Sequence, residues 1–181
     1  METRRRCAIV NDTELAKQAI AGDAASFSTL IEHGRDRLYR IAFTYVRNEN
    51  DALDIVQEAV YRAFISVHKV REPHYFGTWL TKIAVNCALE HIRKAKKTVF
   101  LNDDYEAGYV KEGTEEHLDL HRALNSLDEK SRTVIVLRYF EDLPLKEVAD
   151  IVDMPLSSVK STVYRALAKL NIDLKEGEDD E

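Results

Sequence analysis

The sequence predicts an all-α protein of two small helical domains joined by a flexible linker, the C-terminal one carrying a helix-turn-helix. Three observations predict it. Only three prolines and six glycines occur in 181 residues, whereas turn-dense all-β chains use many more. Apolar residues recur at three- and four-residue spacing through most of the chain. That rhythm breaks over Thr98–Glu116, where Asn-Asp-Asp, two glycines and a run of acids interrupt it.

The elements follow in order. A first helix is predicted over Asp12–Ala21, ended by Gly22, which suits the left-handed position after a helix. Asp23 is a good N-cap for a second helix that runs to Val46. Asn48-Glu-Asn-Asp51 makes the next break, a third helix covers Asp51–Val67, and a loop with Pro73 occupies Lys69–His74. The fourth helix is predicted over Tyr75–Lys96. Beyond the linker come helices at His117–Ser126, Asp128–Tyr139, Leu145–Val152 and Ser157–Leu170. The domain bounds are thus 12–97 and 117–174, separated by the linker 98–116 and followed by an acidic tail at 175–181.

Composition excludes several classes. A hydrophobic fraction of 45% supports a buried core, so disorder of the whole chain is ruled out. No run approaches the roughly 18 apolar residues of a spanning helix, and no apolar stretch follows the charged start Met1–Arg6. Cys7 and Cys87 lack metal-ligand spacing and read as reduced thiols. A cytoplasmic protein is expected. The net charge of −6 is unevenly spread: residues 1–97 hold 16 basic and 12 acidic side chains, 98–120 hold 1 and 7, 121–174 hold 8 and 8, and the tail holds 1 and 5. The acidity therefore sits in linker and tail. A nucleic-acid-binding face remains open, but unaided binding by mass positive charge does not fit.

The third helix has two faces. Ala52, Val56, Ala59, Val60, Ala63 and Val67 form the expected core stripe. The opposite side carries Asp54, Glu58, Tyr61 and Ile65, flanked by Asp51 and Arg62, which suits an acidic docking surface with apolar anchors. A surface helix with two stray apolar residues is the plainer alternative. On the fourth helix, Phe76, Leu80, Ile83 and Cys87 form one stripe and Val85, Leu89 and Ile92 another. Lys82, Asn86, Arg93 and Lys97 line a polar edge, with Trp79 near its start. That edge is a track for phosphates and bases, or else a solvated basic edge.

The stretch Leu145–Leu170 (LKEVADIVDMPLSSVKSTVYRALAKL) has the pattern of a helix-turn-helix. Ala149 is small where two helices must approach closely, and Ser157 or Ser158 is a candidate cap. Val159, Val163, Ala166 and Leu170 should face inward. Ser158, Ser161 and Arg165 should face out, with Ser157, Lys160 and Tyr164 beside them. A plain helical hairpin is the alternative.

These segments together resemble bacterial RNA polymerase sigma factors of the extracytoplasmic-function type. Asp51-Ala-Leu-Asp54-Ile-Val-Gln57-Glu58 through Arg62-Ala-Phe64 resembles the family's core-polymerase-binding helix. Phe76-Gly-Thr-Trp79-Leu80-Thr-Lys-Ile83-Ala84-Val-Asn86, then Arg93-Lys94, resembles its −10-reading and melting helix. Leu124-Asn-Ser-Leu127, Arg132, Leu137-Arg138-Tyr-Phe-Glu-Asp-Leu143, Val159-Lys160-Ser161 and Tyr164-Arg165-Ala166 resemble the region that reads the −35 element. The match covers residues 12–170, with its motifs in order on both sides of the linker. Thr162 stands where the family often has Arg, and Glu90 where it commonly has Asp.

The resemblance implies core RNA polymerase as partner, through the β′ coiled coil and the β flap, with promoter DNA as the second partner. It also implies an anti-sigma factor, often membrane-bound. Polymerase binding would fall to Asp51, Asp54, Gln57, Glu58, Tyr61 and Ile65. Contact with the −10 element would fall to His68, Lys69, Arg71, Tyr75, Trp79, Lys82, Asn86, Arg93 and Lys94, the loop from His68 to Tyr75 holding a flipped base. Contact with the −35 element would fall to Ser157, Ser158, Lys160, Ser161, Tyr164, Arg165 and Lys169. For Trp79, a core role stands beside a base-stacking one.

Rival classes find little support. No phosphate loop, nucleophile triad or paired-carboxylate site stands out, so neither catalysis nor a cofactor is expected. His117 and His121 lie one helical turn apart, but a solvated pair explains them better than a metal site. A dimeric helix-turn-helix regulator would need a dimerisation seam, and no heptad pattern is present.

Overall fold

The computed structural model describes residues 12–99, 123–124 and 126–178. Among these residues all regular structure is helical. The chain divides into two compact units between Gly108 and Tyr109.

The first unit holds four helices: α1 (residues 12–20), α2 (Ala24–Val46), α3 (Glu49–Ser66) and α4 (Phe76–Val99). The α1–α2 corner is set by local chemistry. Gly22 takes φ 104°, its N–H donates to the Ala19 carbonyl, and the Asp23 N–H donates to the Gln18 carbonyl. That pair of bonds is the Schellman closure of a helix. Asp23 then caps α2, its carboxylate accepting from the Ser26 N–H at 2.9 Å and lying below the usual carboxylate range through its bonds with Ser26. The next corner is tighter than expected. Arg47 occupies the left-handed region and Asn48 alone caps α3, its Oδ1 accepting from the Asp51 N–H, so α3 starts at Glu49.

Helices α2, α3 and α4 pack on one another around Phe27, Leu30, Leu38, Ile41, Ile55, Phe76, Leu80 and Val85. The expected stripe of α3 needs one correction. Ile55 is buried, while Val56 and Val60 sit half-buried at the stripe's edge, because the helix turns Ala52, Ile55, Ala59 and Ala63 inward. On α4, Ile83, Leu89 and Ile92 are likewise only half-buried, and Thr81, Ala84 and Ala88 share the buried face with Val85 and Cys87. Burial pushes the Cys87 thiol up, which keeps it protonated and unreactive.

The second unit begins, among the described residues, with helical positions 123, 124 and 126. Then come α5 (Glu129–Ile135), a π-helical turn (Val136–Phe140), α6 (Leu145–Val152) and α7 (Leu156–Glu178). Asp128 caps α5, accepting from the N–H groups of Lys130 and Ser131 and from the Ser131 hydroxyl. The predicted helix Asp128–Tyr139 therefore changes character halfway: it widens at Val136, and Asp142 takes φ 51° before the chain turns into α6. Leu124, Val134, Val136, Leu137, Val148 and Val159 form the best-buried layer of the unit.

Several boundaries differ from expectation. Helix α4 continues through Thr98 to Val99; the rest of the expected linker lies outside the described residues, as do Cys7, His117, His121 and most of the helix expected at His117–Ser126. Helix α7 runs on to Glu178, so the predicted tail starts within a helix. No described helix is long and apolar enough to cross a membrane.

Candidate partner and nucleic-acid interfaces

The outward face of α3 is more apolar than its sequence suggested. Tyr61 is 61% exposed and Ile65 53%, and they are joined by Phe64 at 53% and by exposed Leu53. Leu53, Gln57, Tyr61 and Phe64 recur at four- and three-residue spacing, so the same helical wheel that picked out Tyr61 and Ile65 would have found them. Phe64 is steadied from below by Phe27, the rings meeting edge to face at 5.4 Å. Asp54, Gln57 and Glu58 are exposed on this face. Asp51 instead turns toward α4, with its Oδ1 3.6 Å from Nε2 of His91. A large exposed apolar cluster with an acidic rim is the composition of a protein-docking patch.

The segment between α3 and α4 consists of two 3-10 turns, Val67–Lys69 and Pro73–Tyr75. Buried Val67, Val70 and Phe76 pin its ends, which leaves His68, Lys69, Arg71 and Tyr75 exposed. The His74 and Tyr75 rings lie 4.2 Å apart. A cavity of about 290 Å³ borders this loop, lined among others by Asp12, His33, Arg37, Pro73, His74 and Gly77. Along α4, Asn86, Arg93 and Lys94 are exposed and Lys82 is half-buried. Trp79 is half-buried with its ring 5.6 Å from Phe76, so it belongs to the edge of the aromatic core while keeping one side open.

One contact joins the two faces and was not foreseen. Arg62 on α3 donates through Nη1 and Nη2 to both carboxylate oxygens of Glu90 on α4, at 3.1 and 2.8 Å. Its Nε donates to Glu58 at 2.6 Å. Arg62 holds the Glu90 carboxyl below its ordinary range, and both carboxylates raise the guanidinium still further. Sequence spacing reveals the Glu58–Arg62 pair, but the Glu90 contact spans 28 residues and needs the fold.

In the second unit α6 and α7 form the helix-turn-helix. Asp153 takes φ 52°, and its N–H donates to the carbonyl of buried Ala149, as does that of Met154. The first N–H of α7 to find an intrahelical acceptor is that of Val159, which donates to Pro155. Pro155 is thus the N-cap, and Ser157 and Ser158 lie in the first turn rather than capping it. Ser157, Lys160, Ser161, Tyr164 and Arg165 are exposed, Tyr164 at 75%, and Ser158 is half-exposed. The Arg165 side chain lies back along its own helix, toward the Ser161 carbonyl and the Thr162 hydroxyl. Thr162 itself is buried, so its replacement of the family's Arg removes no outward cation from α7 here. Lys169 donates to the Ser126 carbonyl at 2.5 Å, which ties α7 to the preceding helical residues. Among the described residues no group of three or more His, Cys, Asp or Glu is placed to hold a metal.

Comparison with known proteins agrees with this geometry. Residues 30–98 match the model for sigma-70 region 2, and residues 117–170 match that for sigma-70 region 4. The RNA polymerase sigma factor SigV of Bacillus subtilis (strain 168) is 43% identical over 148 residues, covering 80% of this chain and 88% of that protein. The extracytoplasmic-function factor SigW of the same organism is 29% identical, covering 88% of this chain and 95% of its own length. Among solved structures, CnrH in complex with the cytosolic domain of CnrY superposes with a TM-score of 0.73 at 25% identity, covering 92% of this chain and 98% of that one. The sigma factor RpoE of Bartonella quintana, solved with the anti-sigma factor NepR, shares the fold at a TM-score of 0.68 and 23% identity, covering 82% and 96%. The chain belongs to the extracytoplasmic-function sigma factors of the sigma-70 family.

Proposed function

We propose that this chain directs promoter-specific initiation only when docked on core RNA polymerase, and that it docks through the outward face of α3. The observation that carries this reading is the cluster of Tyr61, Phe64 and Ile65, each more than half exposed, which suits burial against the β′ coiled coil. Asp54, Gln57 and Glu58 form its polar rim, while Asp51 faces His91 on α4. The exposed loop residues His68, Lys69, Arg71 and Tyr75, with Trp79, Lys82, Asn86, Arg93 and Lys94, engage and open the −10 element, the flipped base entering beside the loop. Helix α7 reads the −35 element through Ser157, Ser158, Lys160, Ser161, Tyr164 and Arg165, with Lys169 bracing the helix, while the second unit also meets the β flap. The acidic linker joins two units that act on separate promoter elements.

As a sigma factor the chain is a non-enzymatic regulator of initiation. Its place of action is the cytoplasm, where polymerase and promoter are. An anti-sigma factor would silence it by covering the same surfaces; RpoE, which shares the fold, was solved in complex with the anti-sigma factor NepR. The net charge of −6 supports dependence on polymerase, since it disfavours unaided binding to a polyanion. Run-off transcription and gel shifts on genomic fragments test the proposal. Specific transcripts and shifts should appear with core polymerase and vanish without it. Tight binding of a palindromic site by the chain alone would instead identify a dimeric regulator.

A further inference from the structure

The two interfaces of the first unit meet at one guanidinium. The Arg62–Glu90 contact is a planar fork on a planar fork, which fixes direction as well as distance. Glu58, one turn earlier on α3, aims that guanidinium from the outward face. The buried faces of the two helices are rich in small side chains: Ala52, Ala59 and Ala63 on α3, Ala84 and Ala88 on α4. Small residues allow close approach but raise few ridges against sliding or rotation. The ion pair at the rim adds a directional contact to a layer in which Ile55, Leu80 and Val85 are the larger side chains.

We infer that Arg62 and Glu90 form a positioning clamp that holds the −10-reading helix α4 in one register against the polymerase-docked helix α3. The inference rests on the function proposed above and adds residues that touch neither polymerase nor base. Glu58 shares the clamp's guanidinium with the docking face, so docking and duplex opening are mechanically joined. A simpler account exists. Glu90 falls within the arc of α4 that carries Lys82, Asn86 and Arg93, so its only role could be that of a carboxylate neutralised beside a phosphate track. The two accounts predict opposite signs for Glu90→Gln. Removing the charge should improve DNA engagement if electrostatics alone matters, and should impair opening if the clamp positions the helix. Both side chains are more than one-third exposed, so the pair adds little to stability and the variants should fold.

The experiment uses the full chain with core polymerase on a promoter fragment that the wild-type holoenzyme selects from genomic DNA. Core affinity, thermal midpoint and the rate of opening, read by permanganate reactivity of unpaired thymines, are measured for Glu90→Gln, Arg62→Lys and the double variant. Arg62→Lys keeps the charge but loses the fork. Each single variant should slow opening at saturating holoenzyme about tenfold with the midpoint unchanged, and Glu90→Gln, which leaves the Arg62–Glu58 contact in place, should also leave core affinity unchanged. The double variant should be no slower than the worse single one, because both break the same contact. Opening at or above the wild-type rate in Glu90→Gln would overturn the clamp. A loss confined to core affinity would overturn it too, by assigning the pair to docking. A wild-type holoenzyme that opens no promoter would overturn the functional reading beneath it, a result distinct from either.

Discussion

Helices α3 and α7 carry the outward faces of their units, and they present opposite chemistry. Between Glu49 and Ser66, α3 holds four carboxylates and one arginine, and exposes Leu53, Tyr61, Phe64 and Ile65. Between Leu156 and Leu170, α7 holds Lys160, Arg165 and Lys169 with no carboxylate, and its exposed first turns are mostly hydroxyls and cations, with Leu156 and Leu167 as its exposed aliphatic residues. Apolar area gains when it leaves water, so α3 calls for a surface that buries it, which is a protein. Hydroxyls and cations gain from groove edges and phosphates, so α7 calls for DNA. On the proposed reading, one chain separates its two kinds of recognition by helix, and substitutions on each face should fail in different assays.

The largest effect is expected at the centre of the α3 face. Tyr61→Ala combined with Ile65→Ala removes two anchors that are more than half exposed and lie outside the buried core, so circular dichroism should be unchanged. Polymerase capture should weaken by about 2 kcal/mol or more, as for central interface residues. Co-purification at wild-type levels would place the docking face elsewhere. Next comes α7. Arg165→Ala should leave polymerase binding intact and cost about 1–3 kcal/mol of promoter discrimination if the guanidinium swings from its own helix onto a base. A uniform loss across promoters, with a shallower salt dependence, would mark a phosphate contact instead.

The contrast between these helices was partly legible in the sequence. Gly22, Asp23 and the Tyr61/Ile65 face follow from local rules, since caps and helical wheels depend on a few adjacent residues. The inward row of α7 was legible for the same reason: Val159, Val163, Ala166 and Leu170 are all buried. The expected stripe takes Val56 and passes over Ile55: Ile55 stands in the row with Ala59 and Ala63, Val56 on the other side of the buried arc, and the packing of α2 and α4 buries Ile55. The Arg62–Glu90 pair was invisible, being a contact between helices. The π-helical turn at Val136–Phe140 was hidden too, because it keeps the hydrogen-bonded look of a helix while shifting the register by one residue.

The smallest effect concerns the stability of the second unit and its dependence on pH. Asp128 caps α5 with its carboxylate, which the Ser131 hydroxyl and N–H hold below the usual range. Its folded pKa is depressed, so the unfolded chain binds the proton more tightly. The stabilisation is therefore fully present above the unfolded value of about 3.9 and is lost as pH falls through the folded value. Asp128→Ala should cost the second unit about 1 kcal/mol at neutral pH, as loss of an N-cap does. Asp128→Asn should cost less at neutral pH, because an amide oxygen still accepts the Ser131 N–H. It should also flatten the decline of stability below about pH 4, since the titrating group is gone. Thermal melts of the two variants between pH 3 and 7 check both signs. An acid limb as steep in Asp128→Asn as in the wild type would show that other carboxylates set the acid sensitivity of this unit.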